Sequence, residues 1–231
     1  AALQEIHGEG INITTCEDPV EYQIPGINQV QMHEEIGLNF SASLRSILRQ
    51  DPDVLLIGEI RDEETASIAV KFAMTGHLVF STVHANDAPS TIMRLLDLGI
   101  PPFLLGSSLN LIMAQRLVRT IDKNAKEEYV PTEEELSLIG LNKNEVGDTK
   151  FYRGIKNQSN HNTGYKGRTA IHEIIEVDSD MKKLIYDNAN QNEIYAQAVK
   201  KGMVSLRQAG IKKVLKGQST IDEVLRSTVE D

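Results

Sequence analysis

The stretch "RQDPDVLLIGEIRDEETASIA", Arg49 to Ala69, decides the fold. Asp51-Pro52 stops the helix that precedes it, because the residue before a proline is pushed out of helical backbone. Val54 to Ile57 is a short, wholly apolar run, the pattern of a strand buried on both faces of a parallel sheet. Gly58 and Glu59 follow at once, and "DEETASIAVKFAMTG" is a helix with Gly76 as its stop. In a phosphate-handling fold, a strand ending in this way delivers a carboxylate to a metal or a water. Taken alone, an apolar run and an acid fit a core strand with a capping acid equally well.

Upstream, "SASLRSILRQ" places Leu44, Ile47 and Leu48 on one helical face, with Ser41 as the expected N-cap. Before it, "PVEYQIPGINQVQMHEEIGL" carries the prolines and glycines of a loop or short hairpin. "INITTCED" alternates as a strand, and "AALQEIH" is the end of a helix stopped by Gly8 and Gly10. Downstream, "HLVFSTVHA" is a further strand. "APSTIMRLLDLGI" and "PPFLLGSSLNLIMAQRLVRTI" are predicted as two successive helices. Strands and helices alternate with short joints, so the expected class is α/β, a parallel sheet with helices on its faces. From Asp122 to Thr163 the composition turns polar, with one short helix opening near Thr132. "GYKGRTAIHEIIEVD" returns as a strand, and the remainder reads as three short helices broken near Asn188, Gly202 and Gly217. The expected segments are therefore 1–121, 122–163 and 164–231.

With 231 residues, 40% of them apolar, the chain is long enough to bury a core. Its net charge of −9 argues against a nucleic-acid clamp. One cysteine, Cys16, excludes an internal disulfide, and no apolar stretch reaches bilayer-spanning length. A soluble, cytoplasmic protein is expected. The start lacks methionine and falls inside a helical pattern, so a piece of a longer chain is expected.

Other residues extend the reading. Glu17, Asp18 and Glu21 gather where "INITTCED" ends. Carboxyl-bearing strand ends of a parallel sheet share one edge, where such folds bind ligands. A solvated turn explains the three acids as well. His77 and His84 flank one strand and, seven positions apart, face opposite ways, so they do not share a metal. His84, like Glu59, follows a strand end, where an imidazole can hold a phosphate; His77 reads more simply as a partly buried structural histidine. Arg45 and Arg49 share a helical face, Arg61 follows Glu59 by two, and Arg168 sits in "GRTA". Guanidinium groups stabilise transferring phosphate, sometimes across a subunit boundary; each also fits an ordinary surface ion pair. No G-x-x-x-x-G-K-[ST] loop occurs in the chain.

These blocks, in this order, resemble the C-terminal motor domain of the secretion ATPase superfamily, the type II secretion traffic ATPases and type IV pilus assembly ATPases. "TCEDPVEYQIPGINQVQ" is similar to the family's aspartate box, "LRSILRQDPDVLLIGEIRDEETASIA" to its Walker B region, "TGHLVFSTVHANDA" to its histidine box, and "GYKGRTAIHEII" to the segment leading to its C-terminal helices. Pilus retraction ATPases read differently around "IPGINQVQ" and "MRLLDLGIPPFLLGSSL", which favours the assembly or secretion branch.

The resemblance implies a RecA-like core, incomplete at its N-terminus with the Walker A loop upstream, followed by a small C-terminal helical subdomain. It implies ATP and Mg²⁺ as cofactors, with Glu59 as Walker B glutamate beside Gly58, and Glu17, Asp18 and Glu21 as aspartate-box acids. His84 would sense phosphate with His77 in the same box, and Arg45, Arg49, Arg61 and Arg168 would be candidates for contacts between subunits. The implied protein is a hexamer at the cytoplasmic face of the inner membrane. It would act on a membrane platform protein, without nucleic acid and without inserting in the bilayer, to assemble pili or pseudopili. This piece alone is expected to be inactive. The branch's tetracysteine zinc site has no counterpart, because "TIDKNAK" and "KNQSNHNTG" stand in its place without cysteine; no zinc is expected. Two rival readings are a non-hydrolysing docking or regulatory module derived from such a motor, and a DNA-translocating relative, which the acidic charge disfavours.

Overall fold

The structure, a computed structural model, describes residues 2–228; Ala1 and 229–231, the outermost residues of the expected first and last segments, lie outside the described residues. The described residues group into two units. One reaches to Ile112 and includes Glu176–Gln197; the other comprises Met113–Ile175 and the chain from Ala198 on. The units differ from the limits read from composition, because the late stretch 176–197 groups with the first unit and the polar stretch shares the second with long strands.

The first unit begins with helix α1 (Ala2–Ile6) and strands β1 (Ile13–Glu17) and β2 (Asn28–Gln31), followed by helix α2 (Phe40–Ile47) and strand β3 (Val54–Ile57). Helix α3 (Glu63–Met74), strand β4 (Leu78–Ser81) and helices α4 (Ala88–Asp97) and α5 (Pro102–Ser108) complete its first stretch. The four strands form one sheet in the order β2-β1-β3-β4. All neighbours are parallel: Thr15 lies opposite Gln29, Cys16 opposite Ile57, and Ile57 opposite Ser81. The α/β expectation is met. Ile13, Cys16, Leu55 and Ile57 on the two central strands are almost wholly buried, and each large aliphatic removed from water contributes about 1.5–3 kcal/mol. The edge strands β2 and β4 are only half-buried. Helix α3 opens on Asp62, whose carboxylate accepts from the Thr65 N–H at 2.8 Å, and ends before Gly76, which takes the left-handed backbone (φ 98°) its position requires.

Three local expectations in this unit are corrected. The stretch expected to be a loop or hairpin contains β2, which runs parallel to β1; a parallel neighbour needs a crossover, and residues 18–27 supply it. The N-cap of α2 is Asn39, not Ser41. Asn39 has extended backbone and accepts from the Ala42 N–H at 2.9 Å, whereas Ser41 is already in the helix and donates to Glu64. The second of the two predicted helices ends at Ser108.

Beyond it the chain forms strand β5 (Leu111–Ile121), then β6 (Lys126–Tyr129), helices α6 (Glu133–Leu138) and α7 (Lys143–Val146), and strands β7 (Phe151–Gly154) and β8 (Tyr165–Glu176). The Leu, Met, Ala, Gln and Arg of β5 favour helix intrinsically, but pairing with β8 overrides that preference. β6 and β7 form an antiparallel pair. Helix α6 opens at Thr132 as expected, with a reciprocal capping box to Glu135. Four helices follow among the described residues, not three: α8 (Ser179–Tyr186), α9 (Gln191–Lys200), α10 (Leu206–Leu215) and α11 (Ile221–Ser227). Helix α8 packs on α5 in the first unit, the Tyr186 hydroxyl 3.2 Å from Ser107 Oγ. In the second unit Leu136, Ile139 and Phe151 from the polar stretch share a core with Val214, Ile221 and Val224 of the last two helices.

Candidate functional site

Parallel strands in register leave the sheet at one edge. The chain after β1, after β3 and after β4 therefore emerges side by side, and the next strand lies to one side of β1 while β3 lies to the other. Such a reversal opens a crevice at the carboxyl ends of the strands. Here a cavity of about 320 Å³ occupies that place, bordered by Glu17, Asp18, Glu21, Gly58, Glu59, Thr82 and His84.

Gly58 makes the close approach possible. Its N–H donates to the Cys16 carbonyl at 2.7 Å, and a Cβ there would lie 3.0 Å from that oxygen and 3.3 Å from Glu17 Cα. The chain beyond β3 is then tied to the chain beyond β4: Ile60 N–H donates to Thr82 O at 2.9 Å, and Thr82 Oγ1 donates to Gly58 O at 2.5 Å. These bonds fix Glu59, whose side chain is 12% exposed.

Glu59 joins two cationic or protonatable groups. Arg61 reaches Oε1 at 2.5 Å, and His84 Nε2 lies 3.1 Å from Oε2. The Arg61 hydrogen bond holds the carboxyl below its ordinary pKa against the opposing effect of burial, with the Arg61 charge and His84 assisting. The carboxylate thus stays ionised and is a weak base, suited to orienting a hydrogen-bond donor. His84 is 86% exposed on its side chain and also borders a second open cavity of about 520 Å³ that includes Arg94 and Asp97.

Glu17, at the end of the neighbouring strand, is held differently. Thr15 Oγ1 and Gln29 Nε2 both donate to its Oε1, at 2.6 and 2.9 Å. Gln29 also accepts from Ile24 N–H at 2.7 Å and donates to Tyr22 O at 3.0 Å, so one amide fixes both the acid and the loop carrying Asp18 and Glu21. Burial, aided by Glu17, raises the adjacent Cys16 thiol to about 12, which leaves it protonated and inert.

The structure therefore gathers Glu17, Asp18, Glu21, Gly58, Glu59 and His84 around one cavity, with Arg61 bound to Glu59. It does not bring His77 there. His77 precedes β4, at the opposite end of the strand, where its ring stacks on Phe72 with centroids 4.0 Å apart and Nδ1 lies 2.8 Å from Thr75 Oγ1. Arg45 pairs with Glu64 of the same chain. Arg49 is exposed, and Arg168 is exposed on β8 in the second unit. Thr15, Gln29 and Thr82 were not identifiable as supports from the sequence; each lies inside a quoted block, but only the strand register shows what it touches. Among the described residues, no three His, Cys, Asp or Glu side chains are grouped to hold a metal, and no helix is long and apolar enough to cross a membrane.

A parallel sheet whose carboxyl edge presents a fixed glutamate and an exposed histidine is an open α/β domain with its ligand crevice where such sheets place it. The chain belongs to the type II/IV secretion system protein family, whose model matches residues 1–226. It is 47% identical over its full length to the type IV pilus assembly ATPase PilB of Myxococcus xanthus, covering 41% of that protein. It is 44% identical over its full length to the type II secretion system protein E of Aeromonas hydrophila, covering 46% of it. The chain thus spans less than half the length of these curated relatives. The solved structure of the pilus retraction motor PilT with bound ADP matches 95% of this chain and 53% of its own, with a TM-score of 0.67 at 26% identity.

Proposed function

We propose that the chain is the hydrolytic portion of a motor ATPase whose intact form couples ATP hydrolysis to assembly of type IV pili or type II secretion pseudopili. The observation that carries this reading is the Glu59 carboxylate, held between Arg61 and His84 at the carboxyl edge of the sheet. The 47% and 44% identity to an assembly and a secretion protein supports that branch.

In hydrolysis, the oxygen of water bonds to the γ-phosphorus as the bridging bond to ADP breaks. The transition state is loose, so the protein contributes position and charge more than proton abstraction. Glu59, kept ionised, accepts a hydrogen bond from the water and aligns it. His84, exposed beside it, is placed to donate to a phosphate oxygen, and Arg61 keeps the glutamate from turning away. Glu17 is braced by Thr15 and Gln29, with Asp18 and Glu21 on the same cavity wall. A magnesium ion bound with a nucleotide needs only one or two protein carboxylates, the phosphates and water completing its shell. Glu59 and Glu17 fit that requirement, and the ion would offset the charge on the phosphates.

The motor acts as a homo-oligomer, a hexamer, on a platform protein at the cytoplasmic face of the inner membrane. Arg49 and Arg168, which have no ion-pair partner among the described residues, are the arginines open to contacts between subunits. The chain alone, with no G-x-x-x-x-G-K-[ST] loop, turns ATP over negligibly.

The test is phosphate release by the full-length protein with Glu59→Gln as comparison. The expected result is a fall in kcat of roughly 10²–10⁴, with nucleotide affinity nearly unchanged. A full-length protein that binds nucleotide but shows no Glu59-dependent turnover would instead be a docking module.

A further inference from the structure

We infer that the second unit carries a binding site for a small polyphosphorylated anion, separate from the Glu59 cluster. The site is a cavity of about 710 Å³ where three segments meet, 120–126, 166–169 and 216–218. Two hydrogen bonds lash them together: Thr120 Oγ1 donates to Lys166 O at 2.6 Å, and Ile121 N–H donates to Gln218 O at 2.9 Å. Five cations line it, Lys123, Lys126, Lys166, Arg168 and Lys216. In a chain of net charge −9 this concentration is not background.

The cations lack internal compensation. Among the described residues, no carboxylate forms an ion pair with Lys123, Lys166, Arg168 or Lys216. Lys126 lies over the Tyr152 ring, 3.8 Å from its centroid. Asp122 is the one carboxylate on the wall, and it is 2% exposed and engaged by Asn160 Nδ2 and the Asn124 N–H. Like charges crowded into a concavity raise its potential and draw in a multivalent anion. The walls also present the Thr169 hydroxyl, to which Lys213 Nζ donates at 3.3 Å, adding a sixth cation nearby. Ammonium and guanidinium groups converging on a cavity of this size fit several phosphate groups carried by one small molecule. A flat membrane surface would use a planar patch, and single-stranded nucleic acid would need stacking rings along a groove.

Isothermal titration calorimetry of the intact protein with tripolyphosphate, after loading with one equivalent per chain of a non-hydrolysable ATP analogue to occupy the nucleotide site alone, tests the assignment. One equivalent binds per chain, and affinity falls as salt is raised. Combined Lys123→Gln, Lys166→Gln and Lys216→Gln weaken binding by roughly tenfold or more, while Arg at the same three positions preserves it. These side chains are exposed, so the variants are expected to fold. No binding by wild type, equal binding by the Gln variant, or loss of binding in the Arg variant overturns the proposal. So does capture by phosphatidylglycerol vesicles when tripolyphosphate does not bind.

Discussion

The carboxylates of Glu59 and Glu223 are each held by two cationic or protonatable side chains, and their surroundings give them opposite roles. Glu59 meets Arg61 and His84 at the rim of a cavity, and both partners are largely exposed. Glu223, on α11, meets Arg119 at 2.6 Å and Arg226 at 2.8 Å with its own side chain fully buried, and it also accepts from the Arg119 backbone N–H at 2.9 Å. Arg119 in turn lies over the Tyr165 ring, 4.1 Å from its centroid. In the first arrangement the carboxylate itself borders the cavity; in the second a cavity of about 560 Å³ is bordered by Arg119 and Tyr165 but not by Glu223, which stays buried and ties β5 to α11. A carboxylate's neighbours alone do not distinguish a working acid from a structural one. Whether the carboxylate itself meets open space does.

The comparison is broken most directly by Gln at each position. Glu59→Gln is expected to reduce turnover by the factor given above while thermal unfolding barely moves. Glu223→Gln should do the reverse, destabilising the second unit by about 1.5–3 kcal/mol because the buried side chain loses its charge-assisted hydrogen bonds to two partly exposed guanidinium groups. Hydrogen exchange and thermal melts of the two variants, measured together with kcat, separate the cases.

The pH dependence sharpens the contrast. Burial pushes the Glu223 carboxyl up, but hydrogen bonds from Arg119 and Arg226 and the Arg119 backbone outweigh it and take the group from 4.5 down to about 2. A folded pKa below the unfolded one means that the unfolded chain binds the proton more readily. The stabilisation is therefore fully present above about pH 5 and is lost as pH falls towards about 2. The stability gap between wild type and Glu223→Gln should close over that window. A constant gap would show that the carboxylate's charge is not what holds the cluster.

A smaller effect is expected in the polar stretch. Asn160 is 1% exposed. Its amide donates to Ile155 O at 2.9 Å and Asp122 Oδ2 at 3.3 Å, and its oxygen accepts from Asn157 N–H at 3.0 Å and Gly164 N–H at 3.1 Å. This side chain joins the two segments, "TIDKNAK" and "KNQSNHNTG", that contain no cysteine. Asn160→Ala strands buried polar groups and should cost about 2 kcal/mol, seen as faster hydrogen exchange across 155–164. Unchanged exchange there would mean that the apolar core under Phe151 is sufficient to order the stretch.

These contrasts also explain how far the sequence could be read. β1, β3 and β4 were legible because a β-branched alternation ending in Glu17 and apolar runs leading to Gly58-Glu59 and His84 carry their meaning locally. The shared edge followed from the parallel sheet. β2 was not legible: "NQVQ" has a single apolar residue, and its place depends on pairing with β1. β5 was misread because helix-forming residues were placed in a strand by a partner distant in sequence. Arg119 and Glu223 are separated by 104 positions, and no periodicity links them. The order around Asn160 was hidden for a different reason, since buried and exposed asparagines look alike until their partners are known.

The smallest expected effect concerns Arg45, placed by sequence among the candidates for contacts between subunits. It pairs with Glu64 of its own chain, and both side chains are more than half exposed. Such pairs contribute within about 0.5 kcal/mol, because solvent screens them and two long side chains lose freedom. Arg45→Ala should therefore leave stability and oligomer turnover nearly unchanged. Arg49 provides the comparison, one helical turn further along with no ion-pair partner among the described residues. If Arg45→Ala instead lowers turnover of the full-length oligomer while melting as wild type does, the pair with Glu64 is a resting arrangement. Arg45 then reaches beyond its own chain, and the distinction drawn here between its role and that of Arg49 fails.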